Sequence, residues 1–231
     1  MTVAVVVFPG TNCEHDIVHA LDLVGIDSDL VWHTETDLSG ASGVVLPGGF
    51  AHGDYLRTGA IARFSPVMSE VERLAGRGTP ILGICNGFQI LCEAGLLSGA
   101  LVANRDLKFI CRFVHVRVES TDSILTNRAE VGQVLRIPLN SYEGNYVTDD
   151  LAVIEDDGLV VARYCNPDGS LGDSGNPNGS TGSIAALTNA VGNVAAIMPH
   201  PERASEAVLG SADGMVMIES FAAAVTAAVP A

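Results

Sequence analysis

The sequence predicts an α/β protein with a mostly parallel central sheet, helices on both faces, and an added mixed or antiparallel strand region. Three observations lead to this prediction. In the first part of the chain, short β-branched runs alternate with helical patterns, which is typical of a parallel sheet with right-handed crossovers. In the second part, short strand-like runs are separated by turn residues. No linker divides the chain, so residues 1–231 are expected to form a single domain.

Apolar runs bounded by glycine and proline give the elements of the first half. Residues 3–8 form a continuous apolar run, as expected for a strand buried on both faces. Asn12 is expected to cap a helix that ends at Gly25. The other elements predicted here are strands at residues 29–32, 44–46 and 81–82 and a helix at residues 67–75.

The second half is predicted to consist of short strands followed by one helix. The strands are expected at residues 113–118, 134–137, 159–164, 184–188 and 194–198. The helix, at residues 212–228, has apolar residues at helical spacing and is expected to pack on the core. Between these strands, the turn-rich segment 166–172 recurs with changes as 176–182, which indicates a hydrophilic hairpin tip.

Composition excludes several classes of function. The formal net charge is −15, which should repel nucleic acid and anionic membranes. The chain opens directly into a strand pattern, and no apolar run reaches the length of a bilayer. Its five cysteines show no paired spacing, which favours free thiols and a reducing compartment. We therefore expect a cytoplasmic protein without a nucleic-acid or membrane partner.

Cys85 stands between a predicted strand and a helix, flanked by Gly83 and Gly87. This is the layout of a nucleophile elbow, in which glycines let two backbones approach closely. The positive end of the helix dipole would favour the thiolate, the reactive form of cysteine. The alternative is a buried, inert cysteine in a glycine-rich turn.

A cysteine nucleophile needs a base, and His200 is the best candidate among six histidines. Prolines stiffen the chain on both sides of it, and Glu202 is placed to reach its ring. His15 and His19 could clamp a metal, although a solvated helix face explains their spacing better. The remaining histidines, at positions 33, 52 and 115, have no suggestive carboxylate or are expected to be structural.

An acyl-transfer site also needs N–H donors that stabilise an oxyanion. Asn86 supplies one N–H from the elbow, and Gly48-Gly49, after the strand at 44–46, can supply the second. The same sheet edge should therefore carry both donors, since the carboxyl ends of parallel strands meet there.

Three motifs together resemble the class I, triad-type glutamine amidotransferases: Pro47-Gly48-Gly49-Phe50, the elbow 83–89, and His200-Pro201-Glu202. Further segments are similar to the glutaminase subunits of phosphoribosylformylglycinamidine synthases, and the match runs nearly end to end. These segments are residues 8–13, 53–57, 59–64, 106–112, 176–180 and 198–203.

The resemblance implies a flavodoxin-like amidotransferase domain and a defined reaction. Cys85 would attack the amide of L-glutamine, His200 would move the protons, and Glu202 would orient His200. The N–H groups of Gly49 and Asn86 would form the oxyanion hole, and Gly48 and Gln89 would line the glutamine site. Ammonia would pass to a large synthetase subunit, accompanied by a small accessory subunit, which makes formylglycinamidine ribonucleotide.

The resemblance also implies no cofactor or metal in this chain, because no phosphate-binding loop is present. ATP and Mg²⁺ would belong to the synthetase subunit. One departure is notable: Ser141-Tyr142 stands where the family usually has His-Gly. A glycine at φ > 0 could not be replaced by Tyr142 without strain.

Other interpretations of the same motifs remain open at this point. They are a stand-alone cysteine hydrolase of the α/β type, an amidotransferase subunit of another pathway, and a non-enzymatic subunit that keeps the fold. In α/β hydrolases the acid precedes the histidine in chain order, whereas Glu202 follows His200.

Overall fold

A nine-stranded mixed sheet forms the centre of the structure, a computed structural model that describes residues 1–228. Residues 229–231 of the predicted domain lie outside the described residues. The strands are β1 (Thr2–Val7), β2 (Asp27–Trp32), β3 (Gly43–Leu46), β4 (Ile81–Ile84), β5 (Ala100–Val102), β6 (Ile110–Val118), β7 (Val134–Ser141), β8 (Asn145–Val147), β9 (Val160–Cys165), β10 (Ile184–Thr188) and β11 (Val194–Ile197).

The α-helices are α1 (Glu14–Leu23), α2 (Pro66–Ala75), α3 (Asn86–Glu93), α4 (Leu151–Asp156) and α5 (Met215–Ala227). Short 3₁₀ turns lie at Ala51–Asp54, Ala62–Phe64, Thr181–Ser183, Pro201–Ala204 and Ala207–Leu209. Within residues 1–228, no helix combines the length and the hydropathy needed to cross a bilayer.

The central sheet has the strand order β2-β1-β3-β4-β11-β10-β9-β6-β7. The pairs from β2 to β11 are parallel, and those from β11 to β7 are antiparallel. Only β10 and β6 therefore run against the other strands of this sheet. A mostly parallel sheet with an added antiparallel region was predicted, and the structure confirms it. The remaining strands, β5 and β8, form a separate antiparallel pair.

Helices cover both faces of this sheet. A Cβ built on Gly43 in β3 would meet the side chains of Val225 and Phe221 in α5. Leu46, at the other end of the same strand, lies against Gly87 in α3. Because side chains alternate along a strand, positions 43 and 46 face opposite sides, so α3 and α5 lie on opposite faces.

The parallel half places four carboxyl ends side by side. β1, β3, β4 and β11 are neighbours that point in one direction, and each strand is followed by a segment that the sequence analysis singled out. β4 lies in the middle and is buried throughout, as its apolar composition predicts. In open α/β sheets, this edge is where ligands bind.

The antiparallel half curls back toward the same edge. β7 lies at the far end of the strand order from β1 and β2, yet Pro138 within it accepts a hydrogen bond from the backbone N–H of His200 at 2.8 Å. A flat sheet could not make this contact across the intervening strands, which are spaced about 4.8 Å apart. Twist and coiling of the sheet therefore bring β7 over the end of β11.

Several predicted boundaries differ from the observed ones. Asn12 was wrongly predicted as a helix cap. The helix begins at Glu14 after Cys13, without a side-chain cap, and Asn12 Oδ1 instead accepts a hydrogen bond from Cys13 Sγ at 3.2 Å. The strand feeding the elbow runs on to Ile84, and the last helix begins only at Met215. β5, β8 and α4 were missed, because three to six residues show too little periodicity to identify an element.

We predict that Gly87→Ala destabilises the fold by about 3 kcal/mol or more. A Cβ at this position would overlap the backbone carbonyl of Leu46, and two packed backbones cannot separate cheaply. Urea unfolding would measure the change. Gly40→Ala is the matched control, since a Cβ there has no atom within 4 Å. Equal effects of the two substitutions would contradict this account of the contact.

Candidate active site

Cys85 is held in a strained turn between β4 and α3. Its backbone has φ = 52° and ψ = −103°, a region that residues other than glycine rarely occupy. The side chain is 7% exposed and lines a cavity of about 400 Å³. Its Sγ lies 3.6 Å from the carbonyl oxygen of Asn140 in β7. The turn thus presents a cysteine sulfur to a cavity, as a nucleophile elbow does.

His200 and Glu202 form a buried pair beside this cavity. The Nδ1 atom of His200 lies 2.7 Å from Oε1 of Glu202, and each residue is only 2% exposed. The other ring nitrogen, Nε2, has no hydrogen-bond partner among the described residues. A carboxylate can only accept a hydrogen bond, so the proton of the neutral ring lies on Nδ1, which faces Glu202. Nε2 is then the basic nitrogen of the ring.

The environment of His200 strongly favours its protonated form. Burial lowers the pKa of His200, but the Glu202 carboxylate and the Cys85 thiol outweigh burial and hold this pKa well above its usual range. The two side chains are neighbours, because His200 Cε1 and Cys85 Cβ lie 2.7 and 3.4 Å from the same point, the position that a Cβ on Gly48 would take.

Gly48 allows the groups of the site to converge. A Cβ built on Gly48 would lie 2.7 Å from Cε1 of His200, 3.0 Å from Sγ of Cys13 and 3.4 Å from Cβ of Cys85. A larger residue would therefore displace the catalytic candidates from one another. Gly48 is required here because it leaves this space empty.

The two predicted oxyanion donors lie at this edge of the sheet. Gly49 forms an isolated bridge with Thr11, but the hydrogen bonds of this bridge are made by the residues that flank Gly49. Its own N–H is thus left without a partner among the described residues. The N–H of Asn86 is the first in α3, where no intrahelical acceptor exists. Their role as an oxyanion hole stays a prediction.

Gln89 lines the cavity and connects the elbow to a second loop. Its Oε1 accepts a hydrogen bond from Nδ2 of Asn86 at 2.8 Å, and its Nε2 donates to the carbonyl of Glu143 at 2.6 Å. Asn86 Oδ1 in turn accepts the N–H of Ala51 at 3.0 Å. The side chain of Gln89 therefore fixes the shape of the cavity wall. Its contact with substrate stays a prediction, as does that of Gly48.

The loop at residues 141–144 accommodates Tyr142 without a left-handed backbone, since Tyr142 is not among the residues with positive φ. The strain that a replaced glycine could have imposed is therefore absent at this position. Gly144 is clamped at both ends: its N–H donates to Asn104 Oδ1 at 3.0 Å, and its carbonyl accepts from Asn178 Nδ2 at 2.6 Å. Ser180 Oγ also donates to this carbonyl, at 3.3 Å.

Asn178 and Ser180 belong to the second of the two similar turn segments, 176–182, in which every residue is buried or partly buried. The first segment, 166–172, is mostly exposed and makes hydrogen bonds chiefly within itself. The two copies have thus diverged in role. The second copy, which contains the family-like segment 176–180, holds the cavity loop.

Cys13 and Arg203 were not identified by the sequence analysis as site residues, although both lie in motifs that it quoted. Arg203 donates from Nε to Asp16 at 2.8 Å and from a terminal nitrogen to Cys13 Sγ at 3.2 Å. Cys13, His200 and Glu202 each have one atom that could ligate a metal, and these three atoms lie within 4.8 Å of one another. They could approach a metal ion, but Arg203 and the His200–Glu202 hydrogen bond already engage them within the protein.

The other histidines lie outside the cavity wall. His19 is exposed and its Nε2 lies 2.7 Å from Glu206 Oε1. His33 Nδ1 and His52 Nε2 lie 3.1 and 3.4 Å from the hydroxyl of Ser65. Burial and the neighbouring His52 lower the pKa of His33. These contacts give His19, His33 and His52 structural roles.

Asp54, which the sequence analysis did not identify as a site residue, lines the cavity together with Glu143. Burial and the charge of Glu143 raise the pKa of Asp54 to about 6, against a hydrogen bond from Asn86 that lowers it. Ionisation of Asp54 therefore lowers the free energy of unfolding, and this loss of stability is fully present above pH 6.

Comparisons with known proteins agree on one family. A family model described as a CobB/CobQ-like glutamine amidotransferase domain matches residues 1–216. The chain is 52% identical over 232 residues to phosphoribosylformylglycinamidine synthase subunit PurQ of Gloeobacter violaceus, covering 99% of this chain and 100% of that protein. It is 49% identical to the PurQ subunit of Rubrobacter xylanophilus, covering 96% and 98% of the two chains.

Solved structures give the same result. A chain in the structure of PurLQS from Thermotoga maritima superposes with a TM-score of 0.86 at 42% identity, covering 96% of this chain and 97% of that chain. The glutaminase domain of a Trypanosoma brucei CTPS, with bound acivicin, has a TM-score of 0.60 at 14% identity and covers 100% and 96% of the two chains. The second similarity concerns the fold alone.

We predict that Asp54→Asn stabilises the fold by about 1 kcal/mol at pH 8. The raised pKa penalises ionisation in the folded state; the penalty grows between pH 4 and 6 and persists above pH 6. Partial exposure keeps it below what the full shift would give. Urea unfolding should show a smaller gain at pH 5. A gain that does not depend on pH, or one equal to that of the exposed control Asp157→Asn, would contradict the prediction.

Proposed function

This chain belongs to the family of CobB/CobQ-like glutamine amidotransferase domains, and on that premise we propose that it is the glutaminase subunit of a phosphoribosylformylglycinamidine synthase. It hydrolyses L-glutamine and delivers the ammonia to a synthetase subunit in purine biosynthesis. The observation that carries this proposal is the buried His200–Glu202 pair beside the strained Cys85, in a chain similar to PurQ over its whole length.

In the first half of the reaction, the Cys85 thiolate attacks the carbonyl carbon of the glutamine side-chain amide. The negative charge that develops on the oxygen is stabilised by the N–H groups of Gly49 and Asn86. As the tetrahedral intermediate collapses, the C–N bond breaks and His200 gives its proton to the departing nitrogen. Ammonia leaves, and a glutamyl thioester remains on Cys85.

In the second half, His200 takes a proton from water, which attacks the thioester and releases glutamate and the Cys85 thiolate. The structure supports this change of role. Part of the raised pKa of His200 comes from Cys85, and an acylated sulfur carries no negative charge. The pKa of His200 should therefore fall once the thioester forms, which makes the neutral ring available as a base. Glu202 holds Nδ1 throughout, so Nε2 remains the working nitrogen.

The partners follow from the family. The PurLQS complex of Thermotoga maritima contains a chain similar to this one, and the present chain works with a large synthetase subunit and a small accessory subunit. ATP and Mg²⁺ are proposed to act in the synthetase, because the chain has no phosphate-binding loop of its own. A cytoplasmic location is proposed from the five free cysteines and the charge of −15.

Exposed apolar side chains surround the mouth of the cavity and support a protein partner there. Phe50, Phe109 and Tyr142 line the cavity and are 48%, 51% and 42% exposed, while Tyr55 and Leu56 in the adjoining loop are 70% and 80% exposed. Large apolar groups clustered around one opening mark an interaction surface. Docking at this surface would also retain ammonia within the complex.

We predict that Cys85→Ala abolishes glutamine-dependent synthesis by the complex and spares synthesis from added ammonia. Cys85 serves only the hydrolysis of the amide, so the synthetase reaction should retain its rate with an external nitrogen source. Assays of the assembled complex with each nitrogen donor measure this. An equal loss with both donors would refute the assignment.

We further predict that His200→Ala lowers glutamine hydrolysis nearly as much as Cys85→Ala, and that Glu202→Gln is milder. Members of a triad act as a unit, and the orienting group is often the least costly to lose. Steady-state kcat of glutamine hydrolysis by the complex compares the three variants. Full activity of Glu202→Gln would show that another group orients His200.

A further inference from the structure

The cavity beside Cys85 carries two carboxylates, those of Asp54 and Glu143. Neither forms an ion pair with a basic side chain among the described residues. Both groups are only partly exposed and line the same cavity, and the charge of Glu143 contributes to the raised pKa of Asp54. Two neighbouring, partly buried carboxylates without a cation are unfavourable unless something else supplies one.

The basic groups that line the same cavity do not meet this need. Arg203 is engaged with Asp16 and Cys13, and His200 is hydrogen-bonded to Glu202. The unpartnered Nε2 of His200, a residue 2% exposed, lines this same cavity and independently indicates that a polar ligand enters it. The missing cation is therefore expected to arrive with that ligand.

The two carboxylates lie at a suitable place for one end of an amino-acid substrate. Asn86 Nδ2, next to the nucleophile in sequence, lies 3.4 Å from Asp54 Oδ1, and Gln89, about one helical turn along α3, donates to the backbone of Glu143. One turn of helix advances about 5.4 Å. In glutamine, the reacting amide carbon and the α-nitrogen are separated by roughly 5 Å, a few covalent bonds.

We propose that Asp54 and Glu143 bind the α-ammonium group of the substrate glutamine and thereby select an α-amino acid over other primary amides. This assignment rests on the proposed glutaminase function and specifies how its substrate is recognised. The ammonium group replaces the repulsion between the two carboxylates by two charge-assisted contacts. A primary amide without this group gains no such compensation.

The test compares glutamine with glutaramate, which has the same amide and carboxylate but a hydrogen atom in place of the ammonium group. The kcat/KM of each substrate is measured with the chain assembled in its synthetase complex, as wild type, Asp54→Asn and Glu143→Gln. The preference for glutamine over glutaramate should fall about tenfold or more in each variant, because a contact to a charged group is lost. Both substitutions preserve the shape of the side chain, and the amide oxygen introduced by Asp54→Asn would still accept a hydrogen bond from Asn86.

Asp157→Asn is the matched control, since it removes one negative charge from an exposed turn outside the cavity. Its preference should equal that of the wild type. Alkylation of Cys85 by iodoacetamide, a neutral amide, checks that the elbow is intact in each variant. A variant that alters the elbow alone would slow both substrates by the same factor.

The outcomes separate the subsite from the function. A wild-type complex that hydrolyses neither glutamine nor glutaramate, although Cys85 is alkylated, would refute the proposed function. Glutamine turnover with an unchanged preference in Asp54→Asn and Glu143→Gln would refute the subsite alone. An equal loss of preference in Asp157→Asn would attribute the effect to overall charge, and would also overturn the proposal.

Discussion

The site depends on the close contact between the backbone of α3 and the backbones of β3 and β4. Glycines at positions 83 and 87 allow this contact, since a Cβ at either would meet neighbouring atoms. With the helix pressed against the sheet, the chain must reverse within one residue, and Cys85 takes the positive φ that results. The same contact directs the first N–H groups of α3 and the side chains of Asn86 and Gln89 toward the cavity. The packing of α3 on the sheet thus determines where the nucleophile and the neighbouring polar groups lie.

Around this turn the molecule buries polar groups that would weaken an ordinary core. His200 and Glu202 lie beneath the surface, and one atom of each, Nε2 and Oε2, has no hydrogen-bond partner within residues 1–228. Buried ion pairs often stabilise less than apolar residues of similar size, so their burial here is better explained by catalysis than by stability. Asp54 is a second polar group that lowers stability at the site: its ionised carboxylate is unfavourable above pH 6, and the residue lines the cavity. Such trade-offs are expected at functional sites.

Much of the architecture could be predicted, because buried strands, the elbow and the prolines around His200 leave local patterns in the sequence. The alternation of strands and helices indicated the parallel half, and a two-residue spacing placed Glu202 against His200. The remaining site residues could not be derived locally. Asn140 and Glu143 reach the cavity because β7 curls across the sheet, and Asp54 reaches it through a loop with left-handed residues. Such long-range placements leave no periodic signal in the sequence.

The position of β11 between β4 and β10 has a consequence for biosynthesis. This strand is the last to leave the ribosome, yet it completes the parallel half by pairing with β4, and His200 follows it directly. Until it emerges, one edge of β4 has no partner, although β1, β2 and β3 are already available. An unpaired apolar edge promotes association between chains. The nascent chain therefore stays inactive until β11 emerges, and for that whole interval the edge of β4 that faces β11 is open to association with other chains.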